Sequence, residues 1–393
     1  MARWIWPASL AALLFALVLP SPAGWGLAIG AALLSVGSTG WAAVLRRAVR
    51  VEIVLPARLV RGEDADLVLV ATNRSRLPAT RVRVDVQLPP GGLSPSELSF
   101  ELAVPARSTV RRSSPVTAFN RGRWQPAPLP VRVSDPFGIH EVDTRVPPAA
   151  EPVIVLPVVL PVRRLQLPAA SPLAEVPDQR SLLTDPTAIV GIRPYEPGDP
   201  LRAIHWPATA ATGTLVRRET ERAWARDLLV VVDLDHDGWE RHEHAPEVGM
   251  VVAASLLADA ILRLRQPAGL LTSWPGAPGH DPHAARFRVG GARPHLDAML
   301  THLAVARLHP GLLLADLVGR DVRRHQPGTT VAVVTGRPGT ELAAALRLLR
   351  RRGLAPVVIQ VGRTDVLQSR VPPTGGAPRL TVPSDVPLAR LTL

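Results

Sequence analysis

Residues 233–238 read Asp-Leu-Asp-His-Asp-Gly directly after an apolar run. Asp233, Asp235 and Asp237 in that spacing can converge on one hard cation, and an all-oxygen donor set suits Mg or Ca. The same loop carries His236, His242 and His244 with Glu240, Glu243 and Glu247, donor types that suit zinc. Their spacing matches no zinc hydrolase signature, and a solvated histidine-rich loop accounts for them. The run also starts like a calcium EF-hand, but its twelfth position is His244 rather than glutamate and a strand pattern precedes it. A second concentration of unusual residues is RPYEPGDPLRAIHW, Arg193 to Trp206, which sets Arg193 and Arg202 around the only tyrosine, a Gly-Asp turn and a tryptophan. It holds no obvious nucleophile. No phosphate-binding loop, Gly-x-Ser-x-Gly elbow or hydrolase-type carboxylate pair occurs in the chain. Nothing in the residues gives a positive reason to expect an enzyme.

Elements able to position these groups are legible in the periodicity. Leu228 to Leu234 reads as a strand that begins with an unbroken apolar run, Leu228 to Val232, of the kind buried on both faces of a parallel sheet, and in open α/β sheets ligands bind beyond the carboxyl ends of such strands. A helix is expected over Val248–Arg265, a strand at Ala268–Trp274, and helices near Pro294–Arg307 and Leu312–Arg324. A strand at Thr330–Thr335, a helix at Thr340–Arg352 and a strand at Ala355–Val361 complete the series. This alternation predicts a doubly wound α/β domain over 227–365, with 366–393 as a C-terminal tail. Thr340 or its neighbour is expected to cap its helix.

Upstream the period changes to two. Val51, Ile53 and Leu55, then Leu67, Leu69 and Ala71, then Val82, Val84, Val86 and Leu88 alternate with polar residues between turn clusters, the pattern of half-buried antiparallel strands. An immunoglobulin-like β-sandwich over 47–150 is expected. Residues 151–226 form a proline-rich connection holding the Arg193–Trp206 segment. Pro197-Gly198-Asp199-Pro200 is turn chemistry, and Leu201 to Trp206 reads as extended.

The Arg193–Trp206 segment resembles the signature of the bacterial family called domain of unknown function 58, Arg-x-Tyr-x-x-Gly-Asp-x-x-Arg-x-Ile-x-Trp. Arg193, Tyr195, Gly198, Asp199, Arg202, Ile204 and Trp206 match it; the family's following Ala-Arg pair is replaced here by Ala210-Ala211. Arg121-Gly122-Arg123-Trp124 and Ser134-Asp135-Pro136-Phe137-Gly138 match a second stretch. The resemblance implies a von Willebrand A-like domain after the signature. Such domains hold a divalent ion with Asp-x-Ser-x-Ser and later threonine and aspartate ligands. By that comparison Asp233 takes the first ligand position, Asp235 and Asp237 replace the serines, and Thr335 stands where the last aspartate is expected. The resemblance also implies a MoxR-type AAA+ ATPase as partner. It leaves two roles for the signature. One is a brace with Tyr195 and Trp206 buried and Arg193 or Arg202 paired to Asp199; the other is a surface that meets the ATPase.

Residues 1–45 contain no acidic residue and, among basic ones, only Arg3. They form two apolar stretches, Trp4–Leu19 and Gly24–Leu45, split at Pro20-Ser-Pro22, with Trp4, Trp6, Trp25 and Trp41 near their ends. A transmembrane hairpin over 1–46 is expected, the second stretch being long enough to cross a bilayer. Small residues around Ser21-Pro22-Ala23 offer a signal-peptide alternative. Arg46, Arg47 and Arg50 place the remainder of the chain in the cytoplasm by the positive-inside rule, giving a two-pass cell-membrane protein with cytoplasmic domains.

The formal charge of +12 comes entirely from arginine over acid, in a chain rich in alanine, leucine, proline and valine. No long basic run or arginine–aromatic array accompanies it, so nucleic acid is not expected as a partner. With no cysteine the chain has no disulfide, thiolate metal site or thiol nucleophile. The functional expectation is a membrane-anchored, non-enzymatic adaptor working with a MoxR-type ATPase. The alternative is a metal-dependent hydrolase at the cytoplasmic membrane face using the Asp233–Asp237 loop.

Overall fold

The computed structural model describes the chain apart from residues 1–4, 19–20, 148–150, 164–183, 197–198, 200, 223–226, 240–243, 276–282, 311, 337–338, 370–373, 375, 389–390 and 392. It divides into two compact units, residues 1–158 with 300–305, and residues 159–299 with 306–393.

The first unit opens with helices α1 (Ile5–Val18) and α2 (Pro22–Ala48). Ser21 caps α2, its hydroxyl accepting from the Gly24 amide at 3.0 Å, and Pro22 supplies a preset φ in the first turn. The two helices are joined by the Ser9 and Ser35 hydroxyls, 2.7 Å apart. Among the described residues, two helices are long and apolar enough to cross a membrane: α2, and residues 245–263, which are mostly buried inside the second unit as a core helix. The apolar stretch Gly24–Leu45 does not behave uniformly. Leu27, Ile29, Leu33 and Val36 are exposed, whereas Ala42 and Leu45 are fully buried and Trp41 packs on the core of the following β-domain. The last turns of α2 therefore belong to that domain, and the apolar part left for a bilayer is shorter than the sequence pattern suggests.

The β-domain comprises β1 (Val49–Val54), β2 (Arg58–Val60), β3 (Asp64–Asn73), β4 (Ala79–Gln87), β5 (Leu93–Ser94), β6 (Glu97–Val104), β7 (Thr109–Ala118), β8 (Gly122–Trp124), β9 (Leu129–Ser134), β10 (Glu141–Val146) and β11 (Val153–Leu156). Two four-stranded antiparallel sheets, β1-β3-β7-β5 and β10-β9-β4-β6, form the sandwich, with a small β2-β11-β8 sheet beside them. The expected alternation is present: β1 buries Val49, Val51 and Ile53, and β4 buries Val82, Val84 and Val86. Residues 153–156 pair with β2 and β8, so the β-domain runs past residue 150.

Both upstream motifs fix corners of this domain. The Trp124 ring covers Gly92 so closely that a Cβ there would lie 2.4 Å from it, and the indole N–H donates to the Asn120 carbonyl at 3.0 Å. Asp135 closes the β9–β10 turn: one carboxylate oxygen accepts from the amides of Ile139 and His140 at 2.6 and 3.0 Å. Its other oxygen accepts from the Ser38 hydroxyl of α2 at 2.5 Å.

The second unit contains β12 (Thr184–Pro194), α3 (Trp206–Thr212), β13 (Val216–Arg222), β14 (Leu228–Val232), α4 (Ala245–Ala258), β15 (Ala268–Trp274) and β16 (His283–Gly290). It continues through α5 (Arg293–Val305), whose last turn clusters with the first unit, and α6 (Leu314–Asp321), β17 (Thr330–Thr335), α7 (Thr340–Arg351), β18 (Ala355–Gly362), α8 (Thr364–Ser369) and β19 (Arg379–Pro383). The main sheet has the order β16-β15-β14-β17-β18-β19, parallel except for the edge strand β16. Leu229, Val231, Val331 and Val333 share one apolar cluster with α6 and α7. Since alternate side chains of a strand face opposite ways, α4, which meets the same strands but none of that cluster, covers the other face. The unit is α/β and doubly wound. Residues 366–393 are not a tail, because β19 pairs with β18. β12 and β13 form a separate two-stranded hairpin.

Candidate functional site

The Asp233 loop leaves the carboxyl end of β14, but its three carboxylates do not converge. Asp233 is nearly buried; one of its oxygens accepts from the Thr335 hydroxyl at 3.0 Å and the other from the Asp235 amide at 3.1 Å. A short 3-10 turn, His236–Gly238, then rotates the chain, and Asp237 ends with its side chain 83% exposed beside His236. The spacing raised the expectation that the three carboxylates converge; the turn carries Asp237 away. Asp233, Asp235 and Thr335 line a cleft with Gly339 and Glu341 from the start of α7 and apolar Leu313, Leu314 and Leu342.

Among the described residues no group of three or more His, Cys, Asp or Glu comes together as a metal-holding set. His244 sits exposed at the entrance of α4, while Glu240, His242 and Glu243 lie outside the described residues. Gly339, the neighbour of Thr340, takes the cap position of α7. With Asp233 already satisfied and Asp237 turned away, saturating Mg or Ca is expected to leave the melting temperature of the α/β unit unchanged. A cation-dependent rise that disappears when Asp233, Asp235 and Asp237 are replaced together by alanine would contradict this geometry.

The loop is held by a residue whose role the sequence pattern did not reveal. Trp239 is 5% exposed, its indole N–H donates to the Asp233 carbonyl at 2.7 Å, and its ring lies on Gly249 of α4, where a Cβ would come within 2.3 Å. The tryptophan and the glycine are ten residues apart and complementary in size. That pairing was the available signal.

The signature residues gather in the connection between β12 and β13. Asp199 is its hub. Arg193 Nη2 donates to Asp199 Oδ1 at 2.9 Å, Arg217 from β13 donates to the same oxygen, and the Glu196 amide donates to Oδ2 at 3.1 Å. The Tyr195 hydroxyl donates to the Asp199 carbonyl at 3.2 Å. Ile204 is buried and bridges to Arg217. Gly198 and the Arg202 side chain lie outside the described residues. Arg217 was not singled out from sequence, because it looks like any strand arginine until β12 and β13 pair.

Partial burial pushes the Asp199 carboxyl up, but the Glu196 amide with Arg217 and Arg193 outweighs it and holds the group below its ordinary range. A depressed folded-state value means that the stabilisation is present at neutral pH and is lost as pH falls through that value. Protection against hydrogen exchange in the described residues of 195–213, taken relative to the intrinsic rate at each pH, is therefore expected to fall in acid, and Asp199→Asn is expected to show the lowered protection already at neutral pH. Equal protection in both proteins at neutral pH would remove Asp199 from this role.

Beyond this staple the segment departs from the extended, buried brace. Leu201–Ala203 is a 3-10 turn and Trp206 starts α3, with His205 Nδ1 accepting from the Ala208 amide at 3.0 Å and Pro207 in the first turn. No residue of α3 is buried, and Trp206 is 64% exposed, Leu201 68%. Tyr195 is half-buried.

Residues 191–377 match the family model described as protein of unknown function DUF58. Over that span the chain is a DUF58 protein. The matched region of this DUF58 chain starts inside β12 and reaches past α8, so it takes in both the signature hairpin and the Asp233 loop. No curated protein matches the chain. Among solved structures, the chain resembles a CARDB domain from Pyrococcus furiosus solved with di-metal ions, at 12% identity and TM-score 0.19, covering 26% of this chain and 87% of that one. A β-glucosidase from Listeria innocua is similar at 14% identity and TM-score 0.16, over 25% of this chain and 16% of that one. An exo-β-N-acetylglucosaminidase from Vibrio harveyi is similar at 7% identity and TM-score 0.19, over 80% and 57%. The chain thus spans well under two thirds of both glycosidases.

Proposed function

We propose that this protein is a membrane-anchored, non-enzymatic adaptor whose von Willebrand A-like α/β unit and signature hairpin bind a partner protein, with a MoxR-type AAA+ ATPase as that partner. The observation that carries this reading is the pairing of a stapled loop with outward apolar side chains: Arg193, Asp199 and Arg217 fix the connection, while Leu201 and Trp206 remain exposed. An exposed tryptophan on a fixed scaffold meets the requirements of a binding hot spot, a large apolar area at low conformational cost. The choice of ATPase rests on the resemblance of the signature to its family. The hydrolase alternative needs a cation gathered by the Asp233–Asp237 loop, and Asp237 points into solvent away from Asp233. Capture of the purified ATPase by wild-type chain and by Trp206→Ala, with melting temperatures measured on the same samples, tests the proposal.

The anchor is α1 with the exposed apolar part of α2, leaving Arg46, Arg47 and Arg50 and all later residues on the cytoplasmic side. The chain is expected to stay with membranes through high-salt and carbonate washes. Protease added to sealed right-side-out cells is expected to spare residues 46–393; digestion of the sandwich from outside would reverse the topology.

A further inference from the structure

The turn between β9 and β10 holds the features that the adaptor reading leaves unused. Asp135-Pro136-Phe137-Gly138 is a tight turn, closed by the Gly138 amide donating to the Asp135 carbonyl at 3.1 Å, with Gly138 at φ +68°. Phe137 therefore stands at its tip, 69% exposed. The turn is bolted to α2 rather than to the rest of the sandwich. Besides the Ser38–Asp135 bond, the Ser38 hydroxyl lies 2.9 Å from His140 Nδ1 and the Thr39 hydroxyl 3.2 Å from His140 Nε2. Asp135, His140 and Ser38 are all buried. Although these are the residue types of a hydrolytic triad, the serine contacts the carboxylate directly, so they serve as a joint.

That joint fixes a height along the helix. From Pro22 to Gly37 α2 spans about 24 Å at 1.5 Å per residue, a little under the hydrocarbon thickness of a bilayer. On the anchored reading α2 leaves the lipid near Ser38, and the Ser38–Asp135 bond ties the Phe137 turn beside that point. From Ser38 to Ala48 the helix rises about 15 Å further before the chain enters β1.

Two more loops are tied to that upper part. The Trp41 indole donates to the Pro78 carbonyl at 3.2 Å, the Arg74 amide donates to the Ala48 carbonyl at 3.1 Å, and the Arg107 amide donates to the Ser75 carbonyl at 3.0 Å. These loops expose Arg74, Arg76 and Arg107, the last turn of the helix exposes Arg46 and Arg47, and residues 74–78 and 105–108 contain no acid.

We infer that this end of the β-sandwich is itself a lipid-contacting surface: Phe137 enters the headgroup–acyl boundary of the bilayer that holds the hairpin, and the arginine collar above it meets anionic phospholipid headgroups. An aromatic ring is favoured at that depth, and arginines within a Debye length of the surface are drawn to anionic lipid. With no flexible segment between α2 and the sandwich, the contact sets the tilt of the sandwich on the membrane. The inference rests on the anchored reading.

The chain has no cysteine, so single-cysteine variants of the full-length protein can each carry one environment-sensitive fluorophore. Leu33→Cys reports the hairpin, Phe137→Cys the turn, and Phe119→Cys, beyond the end of β7 remote from α2, the distant end of the sandwich. All three residues are exposed, so the substitutions spare the core. In phosphatidylcholine–phosphatidylglycerol vesicles with a nitroxide on the lipid acyl chain, the probes at 33 and 137 are expected to shift to the blue and lose intensity, while that at 119 does neither. Quenching at 33 with residue 137 behaving like 119 overturns the inference and leaves the anchor intact. No quenching at 33 overturns the anchored reading itself. The loss at 137 is expected to diminish in pure phosphatidylcholine and on joint replacement of Arg74, Arg76 and Arg107 by glutamate; indifference to both removes the collar from the contact.

Discussion

Replacing Trp239 by alanine is expected to destabilise the α/β unit by about 3 to 5 kcal/mol, the usual cost of emptying a buried tryptophan site. The ring fills the space over Gly249 and its N–H donates to the Asp233 carbonyl, so the substitution leaves a cavity and removes a buried hydrogen bond together. Domain stabilities are commonly about 5–15 kcal/mol, so this loss would bring the unit close to unfolding. Because the chain has two units, the measurement is the midpoint of the transition assigned to the α/β unit rather than a single global value. The converse substitution, Gly249→Ala, forces the ring out from the other side and is expected to lower the same midpoint. A change under about 1 kcal/mol in both variants would show that the loop is held by other contacts.

Trp206→Ala is expected to do the opposite. Its side chain lies largely in solvent, so the melting temperature should stay within the small range typical of surface substitutions, about 0.5 kcal/mol. Binding of the ATPase should weaken by roughly thirtyfold or more, the ~2 kcal/mol or greater expected of a hot-spot tryptophan. Leu201→Ser should act in the same direction and more weakly. A variant that loses stability and binding in parallel would return the segment to a brace.

Most of the architecture was legible because it depends on periodicity. β15 and β17 coincide with the expected 268–274 and 330–335, where apolar runs leave no alternative register. The alternation at Val82, Val84 and Val86 likewise fixed a strand with one buried face. β19 escaped because its five residues, RLTVP, are too few to show a period, and only pairing with β18 makes them a strand. The far end of α2 was not legible: Ala42 and Leu45 are equally apolar whether they face lipid or a protein core, and only packing assigns them to the β-domain.

The candidate site was less legible than the fold. Asp233 and Thr335 do meet, because both lie at the ends of adjacent parallel strands. Asp237 does not join them, because it lies in a 3-10 turn that leaves its side chain in solvent. In the signature, Asp199 pairs with Arg193 as expected, yet its second partner, Arg217, is distant in sequence and becomes visible only when β12 and β13 come together. Trp206 looked like an anchor for a core because tryptophan usually is one. Its place at the first turn of a helix with no buried residue makes it an outward group instead.

The most direct measurement is binding of the purified MoxR-type ATPase to the detergent-solubilised, full-length chain, with ATP and without. The adaptor account predicts a complex whose affinity depends on nucleotide and which Trp206→Ala weakens by roughly thirtyfold or more. No complex in either nucleotide state, or one that Trp206→Ala leaves at wild-type strength, would contradict it.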